Sequence, residues 1–211
     1  MSAVKNTRSG DGRDRSADQI RADALACAVR LLTAGGADAL SVRSLASALG
    51  TSTKVIYSHF GGMDQVLAGV HDHGSRSLSE TLEKGDDEMG SRVERLWRVA
   101  RGYRAFAKAN PHLFTLLFQP RALETMSAES LVEANPATIR LVCRIIAPPQ
   151  ASGTISDATQ QQARAFVATM HGPVSLEANG WLVPNADDVF ETVVSQAIRS
   201  VIAPPIRVGR A

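Results

Sequence analysis

At 211 residues, 44% hydrophobic and 21% charged with a net charge of +2, the chain has the make-up of a globular protein. That length suits one large domain, or a small domain fused to a larger one, with a real hydrophobic core. No apolar run approaches the roughly 18–20 residues that a membrane helix needs, and the opening MSAVKNTRSGDGRDRSADQ has no apolar centre of a secretory signal. The expected compartment is therefore the cytoplasm.

Charge is distributed unevenly. Residues 1–60 carry Lys5, Arg8, Arg13, Arg15, Arg21, Arg30, Arg43 and Lys54 against Asp11, Asp14, Asp18, Asp23 and Asp38, while the remainder is slightly acidic. A mildly basic N-terminal module on a neutral body suits a polyanionic partner. The two cysteines, Cys27 and Cys143, lie far apart in apolar helical patterns and read as buried thiols rather than a bridge or a metal site.

In chain order, residues 1–15 read as a flexible basic arm. Beyond it the pattern is helical throughout, rich in Ala and Leu and without β-type alternation, so the fold class is all-α. A first helix is expected from Ser16 to Ala34, with Ile20, Ala24, Cys27, Ala28, Leu31 and Leu32 on one face and Gly35-Gly36 stopping it. Ser41 caps a short helix over Val42–Leu49, Gly50 ends it, and Ser52 caps another over Thr53–His59. Gly61-Gly62 precedes a long helix over Met63–Glu83. Helices over Gly90–Ala109 and His112–Phe118 follow. One over Ala128–Ile146 must kink or divide at Pro136. Ala147–Gly153 reads as a loop, Asp157–Asn179 and Ala186–Ile202 as the last two helices, and 204–211 as a flexible tail.

Residues 20–67 carry the functional signal. The run S41-V-R-S-L-A-S-A-L-G50-T-S-T-K-V-I-Y-S-H-F60 places Leu45, Ala46 and Leu49 inward from one helix and Val55 or Ile56 inward from the next. Small Ala46 permits close approach and Gly50 a sharp turn, as a helix-turn-helix requires. Ser52, Thr53 and Lys54 stand at the start of the second helix, where hydroxyls and an ammonium reach base edges or phosphates. Tyr57 and His59 stand at its far end.

This segment resembles the tetracycline-repressor (TetR) family of bacterial regulators, through Ile20, Ala28, Leu31, Leu32, Gly36, Ser41, Val42, Leu45, Ala46, Gly50, Ser52, Tyr57, His59, Phe60 and Leu67. The resemblance implies an Ω-shaped homodimer paired through its last two helices, a DNA operator as partner, and a C-terminal domain that binds a small molecule. Its implied domains are a helix-turn-helix at 16–61 and a ligand-binding and dimerisation domain at 62–203. Carried over by position, the implied DNA contacts are Ser41, Arg43, Ser52, Thr53, Lys54, Tyr57 and His59. Met63 replaces a frequent phosphate-contacting lysine of the family, and Gly62 a polar cap. Farther on, Arg101–Phe114 with Met170-His-Gly-Pro-Val-Ser-Leu-Glu177 is similar to a TetR-type C-terminal domain named for a Trp-His-Gly tripeptide, with Met170 at the tryptophan position.

Candidate effector contacts are Trp97, Tyr103, Phe106, Phe114, Phe118, Phe166, Met170, His171 and Trp181, with His112 and Glu177 as further polar groups. An apolar or aromatic effector is expected, and ordinary helix core is the competing reading of the same residues. No cofactor or metal is expected, because His71 and His73 are two apart on a helix and point in different directions. The ladder Arg92, Arg95, Arg98, Arg101, Arg104 reads as a solvated helix face. Two other functions compete with a ligand-controlled repressor. One is a DNA-binding regulator without an effector; the other, a helical enzyme, has no nucleophile–base pair, metal cluster or phosphate loop behind it.

Overall fold

The structure, a computed structural model, describes residues 17–118, 136–147 and 154–202. The expectations for 1–15, for the start of a helix at Ala128, for most of the Ala147–Gly153 loop and for 204–211 lie outside those residues. Among the described residues there are nine helices and no strand: α1 (Ala17–Ala39), α2 (Val42–Ala48), α3 (Thr53–Phe60), α4 (Met63–Gly85), α5 (Arg92–Ala109), α6 (Pro111–Leu117), α7 (Pro136–Ile146), α8 (Asp157–Ala178) and α9 (Ala186–Ile202).

α1 buries the expected stripe of Ala24, Cys27, Ala28 and Leu32. Its regular path stops at Gly35-Gly36, as expected. Gly36 takes φ 70° and ψ −165°, which breaks the helical path, and one further turn follows to Ala39. The break suits glycine because a side chain at positive φ is strained, and a Cβ there would also stand 3.2 Å from the His112 ring of α6. α7 begins at Pro136, a position where proline forfeits no helical hydrogen bond.

α1, α2 and α3 pack on one another, and α1 also rests on α4 and α6. α5 lies against α4, α6, α7, α8 and α9, and α8 packs on both α7 and α9. One hydrophobic core runs from Cys27 and Leu45 through Leu96 and Tyr103 to Phe166 and Val194. Gly74 lets α4 approach α6 closely, since a Cβ there would lie 2.9 Å from a Leu113 methyl. Cys27 and Cys143 are both buried free thiols, as expected.

The arginine ladder of α5 is only in part the expected solvated face: Arg92 and Arg101 are exposed, and Arg95, Arg98 and Arg104 are half-buried. Arg95 makes two bonds to Asp86, at 2.6 and 2.9 Å, with side-chain exposures of 17% and 2%. Arg98 pairs with Asp87 at 2.7 Å and donates to the Met89 carbonyl, and Arg92 donates to the Ile146 carbonyl at 2.8 Å. Arg101 lies over the Trp97 ring, 5.0 Å from its centroid, and Arg104 reaches Glu177 and Asp187 of α8 and α9. The period of three spreads the guanidiniums around the helix, so each one meets a different neighbour. No helix among the described residues is long and apolar enough to cross a membrane.

Candidate nucleic-acid interface and aromatic cluster

The turn between α2 and α3 is built from local chemistry. Ser41 caps α2 reciprocally with Ser44: Ser44 N–H donates to Ser41 Oγ at 3.1 Å, and Ser41 N–H to Ser44 Oγ at 2.9 Å. At the other end Gly50, at φ 63°, donates to the Ser47 carbonyl, and Thr51 N–H reaches the Ala46 carbonyl at 2.9 Å. This is a left-handed helix stop that closes both orphan carbonyls and turns the chain sharply into α3. Leu45, Ala46 and Ile56 are buried in the seam, while Leu49 and Val55 are half-buried.

That packing turns the opposite side of α3 outward. Ser41, Arg43, Ser52, Thr53 and Lys54 are exposed, Tyr57 is 55% exposed, and His59 is half-buried. Ser52 stands at the N-cap yet makes no side-chain cap bond, so its hydroxyl is not spent on α3. Ser41 Oγ, by contrast, is engaged with Ser44. Among the described residues no carboxylate pairs with Arg43 or Lys54. Thr53, Lys54 and Tyr57 share one side of α3 by helical spacing, next to the free N–H groups of its first turn, an arrangement that receives phosphate oxygens and presents donors to base edges. Gly62 caps α4 without a side-chain bond, and Met63 packs half-buried against the core.

Arg21 escaped the sequence reading. From α1 its Nε donates to the His59 carbonyl at the end of α3, at 3.1 Å across 38 residues. No local spacing signals a bond of that range.

In the C-terminal helices, four of the expected effector residues come together. Tyr103 of α5 donates or accepts a 2.9 Å bond with His171 Nδ1 of α8, the sense being set by the histidine tautomer. Phe114 and Phe118 close around the pair, with Phe118–His171 centroids 4.3 Å apart and Phe114–Phe118 5.0 Å apart. Burial pushes the Tyr103 phenol up and His171 below the ordinary 6.5, so both are neutral at pH 7. The other candidates lie elsewhere. Trp97 meets Phe190 edge-on, Phe106, Phe166 and Met170 are buried core residues, and Trp181 is 78% exposed in the α8–α9 turn.

Glu177 is committed to Arg104, accepting bonds of 2.6 and 2.7 Å, and to Lys108 at 3.1 Å. The Arg104 bonds hold its carboxyl below the usual range. Beside it lies a cleft of about 220 Å³ lined by Ala107, Lys108, Pro111 and Val174. A second cleft, about 280 Å³, opens where His112 and Thr115 of α6 face the α1 break at Gly35–Asp38. His71 is buried and His73 exposed, and no group of three His, Cys, Asp or Glu among the described residues is placed to hold a metal.

Two family models match. Residues 24–70 match the bacterial regulatory proteins of the tetR family, and residues 96–197 match a tetracyclin repressor-like C-terminal domain. No curated protein matches the chain. Among solved structures, a Rhodococcus sp. RHA1 protein of unknown function is 29% identical, with a TM-score of 0.68 over 90% of this chain and 97% of that one. A TetR-like transcriptional regulator from the same organism is 19% identical, with a TM-score of 0.61 over 88% and 97%. BioQ, solved with its natural double-stranded DNA operator, is 17% identical, with a TM-score of 0.59 over 84% and 97%. With the capped α2–α3 turn inside one matched region and most of α5–α9 inside the other, the chain belongs to the TetR family of DNA-binding transcriptional regulators and is not an enzyme.

Proposed function

We propose that this regulator is a cytoplasmic repressor that binds a palindromic operator as a homodimer and is released by a small apolar or aromatic effector. The observation that carries the reading is the outer edge of α3, where Ser52, Thr53, Lys54 and Tyr57 are exposed beside a helix N-terminus and, among the described residues, no carboxylate pairs with Lys54. Ser41, Arg43 and His59 flank that edge. The operator complex of the similar protein BioQ supports the same use of the fold.

The division of labour is a DNA-binding unit at 16–61 and an effector-binding and dimerisation domain at 62–203. Two copies pair through α8 and α9, whose outward side carries Ala165, Ala168, Leu176, Val189 and Val193. Such a pair sets two reading helices about 34–36 Å apart, one turn of DNA. The effector sits against Tyr103, Phe114, Phe118 and His171. The groups there are neutral at pH 7, which favours an uncharged ligand.

The test joins three readouts on the purified chain. Sedimentation gives the mass, footprinting on a selected operator gives its symmetry, and thermal shift against uncharged aromatics, aromatic carboxylates and amines gives the effector class. A dimer, a symmetric footprint and stabilisation by uncharged aromatics that also weaken DNA binding are the expected results. Stabilisation by charged polar compounds alone contradicts the effector class. No stabilisation by any compound favours a regulator without an effector.

A further inference from the structure

The eight residues of α3 bury only Ile56 completely. A helix this short is marginal alone, so its orientation depends on how its two ends are held. The N-terminal end is fixed by the tight turn at Gly50–Thr51. At the C-terminal end, Gly61 N–H closes on the Tyr57 carbonyl at 2.8 Å, in a left-handed stop at φ 79°. The His59 carbonyl lies beyond the reach of helical N–H groups, and the Arg21 guanidinium takes it at 3.1 Å. The cation also faces the negative end of the helix dipole. Asp18, one turn back on α1, stands 3.7 Å from the same guanidinium but is itself 94% exposed, too solvated to draw Arg21 away.

We infer that Arg21 is a positioning residue for DNA recognition: it pins the C-terminal end of α3 to α1 and so sets the angle at which Ser52–Tyr57 is presented. The inference rests on α3 being the DNA-reading helix. Its signature separates it from a phosphate contact. A phosphate contact strengthens binding to every sequence and steepens the salt dependence. A positioning bond strengthens binding only where side chains must meet particular base edges, because base readout tolerates little misplacement.

The experiment uses the full chain and an operator selected from a random duplex pool, with a scrambled duplex of equal length. Dissociation constants are measured by fluorescence anisotropy at several salt concentrations for the wild type, Arg21→Ala and Arg21→Lys, with thermal unfolding alongside. Arg21→Ala is expected to bind the operator about five- to tenfold more weakly, the scale of one hydrogen bond. Its affinity for scrambled duplex and its salt slope stay the same. Arg21→Lys recovers part of the loss, since an ammonium can reach the same carbonyl. An equal loss on both duplexes with a shallower salt slope would overturn the inference in favour of a phosphate contact. Unchanged operator affinity would overturn it too, as would a loss that merely tracks the unfolded fraction. If the wild type itself does not prefer its selected operator, the reading of α3 fails and the inference falls with it.

Discussion

The two ends of this molecule treat polar side chains in opposite ways. In the helix-turn-helix, α2 and α3 are short, the turn between them is closed by local bonds, and the cations Arg43 and Lys54 are left outside without partners among the described residues. In α4–α9 the helices are mostly long, and polar groups turn inward to one another: Asp86 to Arg95, Glu177 to Arg104, Tyr103 to His171. The contrast teaches that a basic residue marks a nucleic-acid surface only when its charge is unspent. The α5 ladder holds five arginines, more than the whole helix-turn-helix, yet three of them are neutralised by carboxylates, one caps a carbonyl and one covers an indole.

The sharpest way to break the contrast is to remove the small core of the N-terminal unit. Leu45→Ala empties a fully buried site between α2 and α3. It should cost about 2–5 kcal/mol, read by urea unfolding, and take operator binding with it. Surface chemistry should behave differently. Lys54→Ala combined with Tyr57→Phe should weaken operator binding about 10- to 100-fold, the scale of one or two direct contacts. Its unfolding midpoint should move by no more than about 2 °C, because neither side chain is buried.

In the C-terminal helices the order reverses, and stability moves more than DNA affinity. Glu177→Gln keeps the shape but removes the charge that Arg104 and Lys108 share, at a cost of about 1–3 kcal/mol. The Arg104 bonds hold Glu177 below its ordinary 4.5, and Arg95 likewise holds Asp86 below 3.8. Stability from both pairs is therefore present above those ordinary values and is lost as pH falls through the lower folded-state values. Glu177→Gln should remove part of that acid loss, visible in thermal midpoints from pH 5 downward.

The smallest effect is expected from Tyr103→Phe, which deletes the bond to His171 Nδ1 for about 1 kcal/mol and leaves operator affinity unchanged. Burial lowers His171 below 6.5, so its contribution to stability is complete above that pH and declines as pH falls below it. His171→Gln should flatten that decline, measured as the thermal midpoint between pH 7 and 5.

What could be read from the sequence follows the same division. The helix-turn-helix was legible because its determinants are local: Ser41 and Ser44 are three apart, and Gly50 must leave the helical region to close the turn. The start and end of α9 were read from spacing alone. Gly36 was recognised as a break but not as a kink with another turn beyond it, because the seat of His112 upon it is supplied by a helix 76 residues later. The arginine ladder misled in part, for the same reason. Periodicity shows that charges recur, but not that Asp86, Glu177 and Asp187 wait on three other segments. The aromatic candidates shared one composition signal, and only tertiary packing separated Tyr103, Phe114, Phe118 and His171 from exposed Trp181. Arg21 carried no signal, since its partner is a backbone carbonyl.

The most direct test of α3 as the DNA-reading helix is fluorescence anisotropy on a duplex selected from a random pool, with scrambled competitor, at two salt concentrations, for the wild type and the Lys54→Ala, Tyr57→Phe double variant. The expected result is tight wild-type binding that resists competitor at both salts and collapses in the folded variant. Wild-type binding that competitor removes, or a folded variant that binds as tightly as the wild type, would contradict the assignment of α3.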